Sequence, residues 1–214
     1  MKIVFGGIFL LILIAVGVIS IGIARGDLGD IYVTGTLNYK ISVIVDTPEG
    51  EVVGDAVRKV NLIHQPALLG VENTGIPTVK GEAVVVDMGA RGVMYGLIVS
   101  GQYLDIKNTF PYEHRMNTAE GVRYYRSLPI GTTGKLPKEN WPTFVTFTDP
   151  DDPKSVTLVR GHKFNIETQN HDPVRKMKEI FGEGIEIKEI TITITDEDVT
   201  QKVVYIAQNE CACS

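Results

Sequence analysis

One stretch constrains this chain more than any other. Residues 3 to 24, IVFGGIFLLILIAVGVISIGIA, carry no charge, and Ser20 is their only polar side chain. Such a run of 22 residues, wound as a helix, is about 33 Å long, against a bilayer hydrocarbon core of about 30 Å. A soluble helix would show a polar face. A cleavable signal peptide would have a shorter apolar core, roughly 7–15 residues, and a small-x-small cleavage site. Ser20-Ile21-Gly22 and Gly22-Ile23-Ala24 fit that site poorly, and no cysteine lies nearby to serve a lipoprotein signal. Residues 1–25 therefore read as an uncleaved transmembrane anchor, with a cleaved signal as the alternative. Lys2 and the amino terminus precede the span, whereas Arg25 is followed by Asp27 and Asp30. The positive-inside rule then puts the body on the outer, extracytoplasmic side.

Charge narrows the functions open to that body. Residues 26–214 hold 19 basic and 26 acidic side chains, a net charge of −7. That excludes nucleic-acid binding by bulk positive charge and attraction to anionic headgroups by a polybasic surface. Over the whole chain, hydrophobic residues are 43% and charged residues 22%, which excludes a disordered chain. Two cysteines are too few for a disulfide scaffold.

The patterning of the body is that of strands. Residues 26–36 read as a linker, and 37–214 as a single β-rich domain. Leu37–Asp46 and Glu51–His64 flank Thr47-Pro48-Glu49-Gly50, a turn with Pro second and Gly fourth, and predict an antiparallel hairpin. Thr78–Met88 and Gly92–Ser100, joined at Gly89–Gly92, predict a second one. Trp141–Thr148 and Ser155–Arg160 predict two strands about the rigid acidic turn 149–153. Ile185–Thr195 alternates isoleucine with threonine, the mark of a half-buried strand. One more strand is expected at Val203–Ile206. Two short helices are expected. Thr118–Leu128 has Val122, Tyr125 and Leu128 on one side, although Gly121 weakens it. Asp172–Gly182 has Asp172 as cap, Pro173 at the first helical position and Gly182 as the stop. The expected fold is mainly β, of antiparallel sheets in a sandwich- or barrel-like arrangement, with one or two short helices and the N-terminal membrane helix.

Catalytic signatures do not emerge. Gly131-Thr132-Thr133-Gly134-Lys135 resembles a phosphate loop but has the wrong spacing, and Leu136 stands where a metal-binding hydroxyl belongs. His64, His114, His162 and His171 lack the spacing of a local zinc site, so only convergence in space would make them a metal site. Asp149, Asp151 and Asp152 could offer oxygens to calcium, either as a structural site or in a metal-dependent envelope hydrolase. The alternative is a solvated turn. Basic and aromatic residues concentrate once, in Tyr112, Arg115, Arg123, Tyr124, Tyr125 and Arg126. Tyr and Arg are frequent interface anchors, so this stretch is the candidate docking surface for a protein partner. Cys211 and Cys213 lie in a C-terminal tail, too close together for an unstrained disulfide. No cofactor is implied.

Several segments carry a family resemblance: Trp141–Phe147, Asp149–Val156, Phe181–Ile185, Ile190–Thr200, the Thr47–Gly50 turn and Gly81–Asp87. Together they resemble an uncharacterised family of bacterial membrane-anchored proteins, while residues 102–135 depart from the pattern. The resemblance implies a bacterial, single-span, one-domain protein and assigns no activity. The expected function is therefore a non-enzymatic extracytoplasmic protein, tethered to the bacterial cell membrane through residues 3–24. It would bind a protein partner or serve as an accessory subunit of an envelope complex.

Overall fold

The computed structural model of the chain describes residues 32–65, 75–98, 104–149 and 151–201. The expected membrane span, the expected strand at Val203–Ile206 and both cysteines lie outside these residues. No helix among the described residues is long and apolar enough to cross a membrane.

A long hairpin organises the first sheet. β1 (Val33–Thr47) and β2 (Gly50–His64) pair along their whole length, from Val33 opposite His64 to Thr47 opposite Gly50. The strand thus begins inside the expected linker. The turn closes through the Thr47 hydroxyl, which donates to the Gly50 carbonyl (2.7 Å) and accepts from the Glu49 N–H (3.2 Å). Alternation decides which side faces in: Leu37, Tyr39, Ile41, Val43 and Val45 are all buried. β10 (Glu186–Thr195) runs antiparallel on the other side of β1. Its Ile190, Ile192 and Ile194 are buried, while Thr191, Thr193 and Thr195 are half-buried. Burial of each such isoleucine contributes about 2 kcal/mol. Two short strands, β3 (Thr78–Lys80) and β6 (Thr133–Lys135), complete the order β3-β2-β1-β10-β6.

The second sheet has the order β4-β5-β7-β8-β9. Its strands are β4 (Val84–Asp87), β5 (Val93–Gly96), β7 (Phe144–Phe147), β8 (Val156–Asn165) and β9 (Asn170–Arg175). The expected hairpin of 78–88 with 92–100 is therefore only half right. Thr78–Lys80 pairs with β2 in the first sheet, and the chain crosses to the second sheet before Val84. The two sheets share one apolar core, with Tyr39, Ile41 and Ile192 from one and Val84, Val86, Met94, Phe144 and Val159 from the other. They approach closely at Gly54 of β2. A Cβ built there would lie 2.2 Å from the Val85 carbonyl oxygen, so only glycine admits the backbone of β4.

Among the described residues three short α-helices are added: α1 (Leu104–Thr109), α2 (Ala119–Arg126) and α3 (Met177–Phe181). α2 matches the expected helix, and Thr118 caps it by accepting from the Gly121 N–H at 3.1 Å. Gly121, a weakness in propensity, is a steric requirement: a Cβ there would meet the Arg115 carbonyl oxygen at 2.0 Å. The expected helix Asp172–Gly182 is corrected. Residues 170–175 are strand β9, and only Met177–Phe181 is helical. Pairing with β8 outweighs the local capping signals, and Pro173 is accommodated because β9 is the edge strand.

Candidate functional site

The tyrosine- and arginine-rich stretch does come together, but chiefly as packing. Tyr112 and Tyr124 stack at 4.0 Å with an interplanar angle of 8°, and Tyr125 meets Tyr124 edge-on at 5.0 Å. Tyr125 is fully buried, and its hydroxyl has no hydrogen-bond partner among the described residues. Burial and the neighbouring Tyr124 push that hydroxyl up to about 12. Arg126 donates to the Thr34 carbonyl at 3.2 Å and lays its aliphatic stem over Gly35. These residues fasten α2 to β1. Arg115 and Arg123 stay exposed at the rim.

Two of the three carboxylates of the acidic turn accept from its own backbone. Asp149 Oδ1 accepts from the Asp151 N–H (3.0 Å), and Asp152 Oδ1 accepts from the Lys154 N–H (2.9 Å), capping the turn Pro153–Ser155. Among the described residues, no group of three or more His, Cys, Asp or Glu is placed to hold a metal ion. The stretch Gly131–Lys135 is built into the first sheet: the Gly131 N–H donates to the Ile194 carbonyl, and the Ile194 N–H to the Thr132 carbonyl.

Two arginines between the sheets are treated in opposite ways. Arg58 on β2 is completely buried. Its Nε donates to the Glu82 carbonyl (3.2 Å), one terminal nitrogen donates to the Gly96 carbonyl (3.3 Å), and the other lies 3.4 Å from Asp105 Oδ2. The Tyr39 hydroxyl approaches the same oxygen at 3.4 Å. Burial raises Asp105 to about 6, although Arg58 and the Tyr39 hydroxyl favour its charged form. Burial likewise raises Tyr39 well above the usual phenol range. This cluster pins the start of α1 to both sheets.

Arg160 on β8 lies in a cleft of about 640 Å³. The β8–β9 hairpin forms one wall, the start of β10 another, and α3 and residues 138–143 close the rest. The hairpin register sets Arg175 of β9 directly opposite Arg160. Like charges so placed on neighbouring strands repel. Neither meets a carboxylate among the described residues. Burial and the Arg175 charge both pull Arg160 below the usual guanidinium range. Its guanidinium sits 4.6 Å from the Trp141 ring centre and donates to the Lys138 carbonyl at 3.4 Å. Trp141 is held in turn by its Nε1–H on the Leu136 carbonyl at 3.0 Å. The Lys138 ammonium lies 5.6 Å from the same ring. A cation on an indole face keeps its charge while being partly desolvated, which prepares it for an anion. Pro142, Met177, Ile185 and Ile187 give the cleft an apolar wall, and the exposed Glu139 and Glu186 also line it.

Nothing in the sequence pattern singles out Lys138, Arg160 or Arg175 as site residues, and Trp141 stands out as the start of a strand and of a family-resemblance segment. The one usable signal was the pairing of 156–165 with 170–175, which a helix at Asp172 concealed. Comparison of the chain with protein-family models, with curated proteins and with solved structures gives no match.

Proposed function

We propose that this chain is a non-enzymatic binding protein, tethered at a bacterial cell membrane through residues 3–24 with its β-rich body on the outer side. It serves an envelope complex as an accessory subunit, and its partner or ligand presents an anionic group to the cleft of Arg160, Arg175, Lys138 and Trp141. The observation that carries this reading is the facing pair Arg160–Arg175, which has no carboxylate among the described residues to neutralise it. The exposed Arg175 and half-buried Arg160 repel at a cost of roughly 0.2–1 kcal/mol, and an anion held between them would remove that cost. The uninterrupted apolar run at residues 3–24 supports the tether.

Crosslinking in cells from a photoreactive residue at position 139, on the rim, tests the reading. A specific adduct that disappears when Arg160 and Arg175 are both changed to Gln is the expected outcome. An adduct indifferent to those changes counts against the cleft. Recovery of the full-length chain in the soluble fraction counts against the tether.

A further inference from the structure

We infer that the cleft is a site for a single phosphoryl group, a phosphomonoester carried on a small apolar or aromatic body. This rests on the reading of the cleft as the binding site and names the ligand's chemistry. Charge and geometry point the same way. Arg160 and Arg175 are directly opposed, so their two guanidinium forks can converge on one anion. A carboxylate has two oxygens, enough to occupy one fork, and a single negative charge. A phosphomonoester presents three terminal oxygens and close to two negative charges near neutral pH, matching two forks and two cations. Arg160 is already oriented, by the Trp141 ring beneath it and by the Lys138 carbonyl, so little side-chain entropy is lost on binding. Lys138 adds a third cation at the same ring.

Size and surroundings define the rest of the ligand. A cleft of about 640 Å³ is far larger than a bare phosphate needs and lies within the usual range of small-molecule sites. The apolar wall of Pro142, Met177, Ile185 and Ile187 gives the remaining volume something to bury. Glu139 and Glu186 at the cleft, and a body of net charge −7, oppose an extended polyanion or an anionic membrane face. A compact ligand with one phosphoryl group avoids that repulsion.

The test uses the full-length protein in neutral detergent micelles at pH 7.5, titrated calorimetrically with phenyl phosphate, inorganic phosphate and benzoate. Saturable binding is expected, with phenyl phosphate at least tenfold tighter than either of the others. Arg160→Gln and Arg175→Gln should each weaken it at least tenfold while leaving the far-ultraviolet dichroism spectrum in place and the melting temperature no lower. Displacement of phenyl phosphate by a short-chain, water-soluble phosphatidic acid at least as effective as phenyl phosphate itself, but not by the matching phosphatidylcholine, would assign the phosphoryl group to a lipid; binding of phenyl phosphate without such displacement assigns it to a soluble ester. Benzoate binding as tightly as phenyl phosphate overturns the phosphoryl assignment. So does absence of phenyl phosphate binding, and if the crosslink from position 139 still depends on both arginines, the cleft remains the partner site and only the ligand class has failed. Release of phenol during the titration would keep the phosphoryl site and overturn the non-enzymatic reading.

Discussion

Arg58 and Arg160 both sit between the two sheets, and the contrast between them separates structure from binding. Arg58 finds everything it needs inside the protein: the Asp105 carboxylate and two carbonyls. Arg160 finds an aromatic face, one carbonyl and a like charge across the strand. A guanidinium whose counter-charge is supplied from within braces the fold. One left with an indole and a repelling neighbour, at an open cleft, is prepared for a charge from outside. The Tyr125 hydroxyl is a useful third case. It too lacks a partner among the described residues, yet it is enclosed, so its deficit is a structural cost.

The sharpest way to break the contrast is to remove the internal counter-charge. Asp105→Ala leaves Arg58 buried without its anion and should cost about 3–5 kcal/mol in urea denaturation of the full chain. A loss below about 1 kcal/mol would mean that Arg58 does not depend on Asp105. The next effect is in pH. Asp105 titrates at about 6 in the folded protein, against 3.8 as its ordinary value, so the folded state holds this proton more tightly than the unfolded one. Its contribution is fully present below pH 3.8 and is lost as pH rises through 6, a fall of about 3 kcal/mol. Glu49 and Glu197 are both held low by ion-pairing with Arg91 and Lys40 and push in the other direction. The diagnostic quantity is therefore the difference from Asp105→Asn, in which the Asp105 component between pH 4 and 6 should vanish.

Smaller effects sharpen the other side. Arg175→Thr removes a cross-strand repulsion and should raise thermal stability by roughly 0.2–1 kcal/mol in the absence of ligand. A loss of stability there would show that something within the protein already answers the pair. Tyr125→Phe removes an unsatisfied buried hydroxyl from an aromatic stack and should stabilise by about 0.5 kcal/mol, with ligand binding unchanged.

The elements legible in the sequence were those whose signal is local. The hairpin about Thr47–Gly50 announces itself by its turn and valine-rich flanks, and Ile190–Thr195 by strict alternation. α2 is marked by its apolar stripe. The misreadings arose where a distant partner decided. Asp172 and Pro173 look like a helix start, yet β8 offers residues 170–175 a ladder of backbone hydrogen bonds that a short isolated helix cannot match. Thr78–Lys80 and Val84–Asp87 look like one strand, yet they are drawn to different sheets. In the tyrosine- and arginine-rich stretch 112–126, Arg115, Arg123 and Arg126 are exposed as a docking surface requires, while of the tyrosines only Tyr125 is fully buried. Their rings are used largely to hold α2 down.

The chain's order of residues was enough to establish an apolar span of bilayer length, an acidic body and a preponderance of antiparallel strands, because helix length, net charge and two-residue alternation are properties of contiguous segments. The cleft belongs to tertiary structure alone. Lys138, Trp141, Arg160 and Arg175 meet only when β8 pairs with β9 in one register and a second sheet closes over them, and that register is set by contacts among residues far apart along the chain.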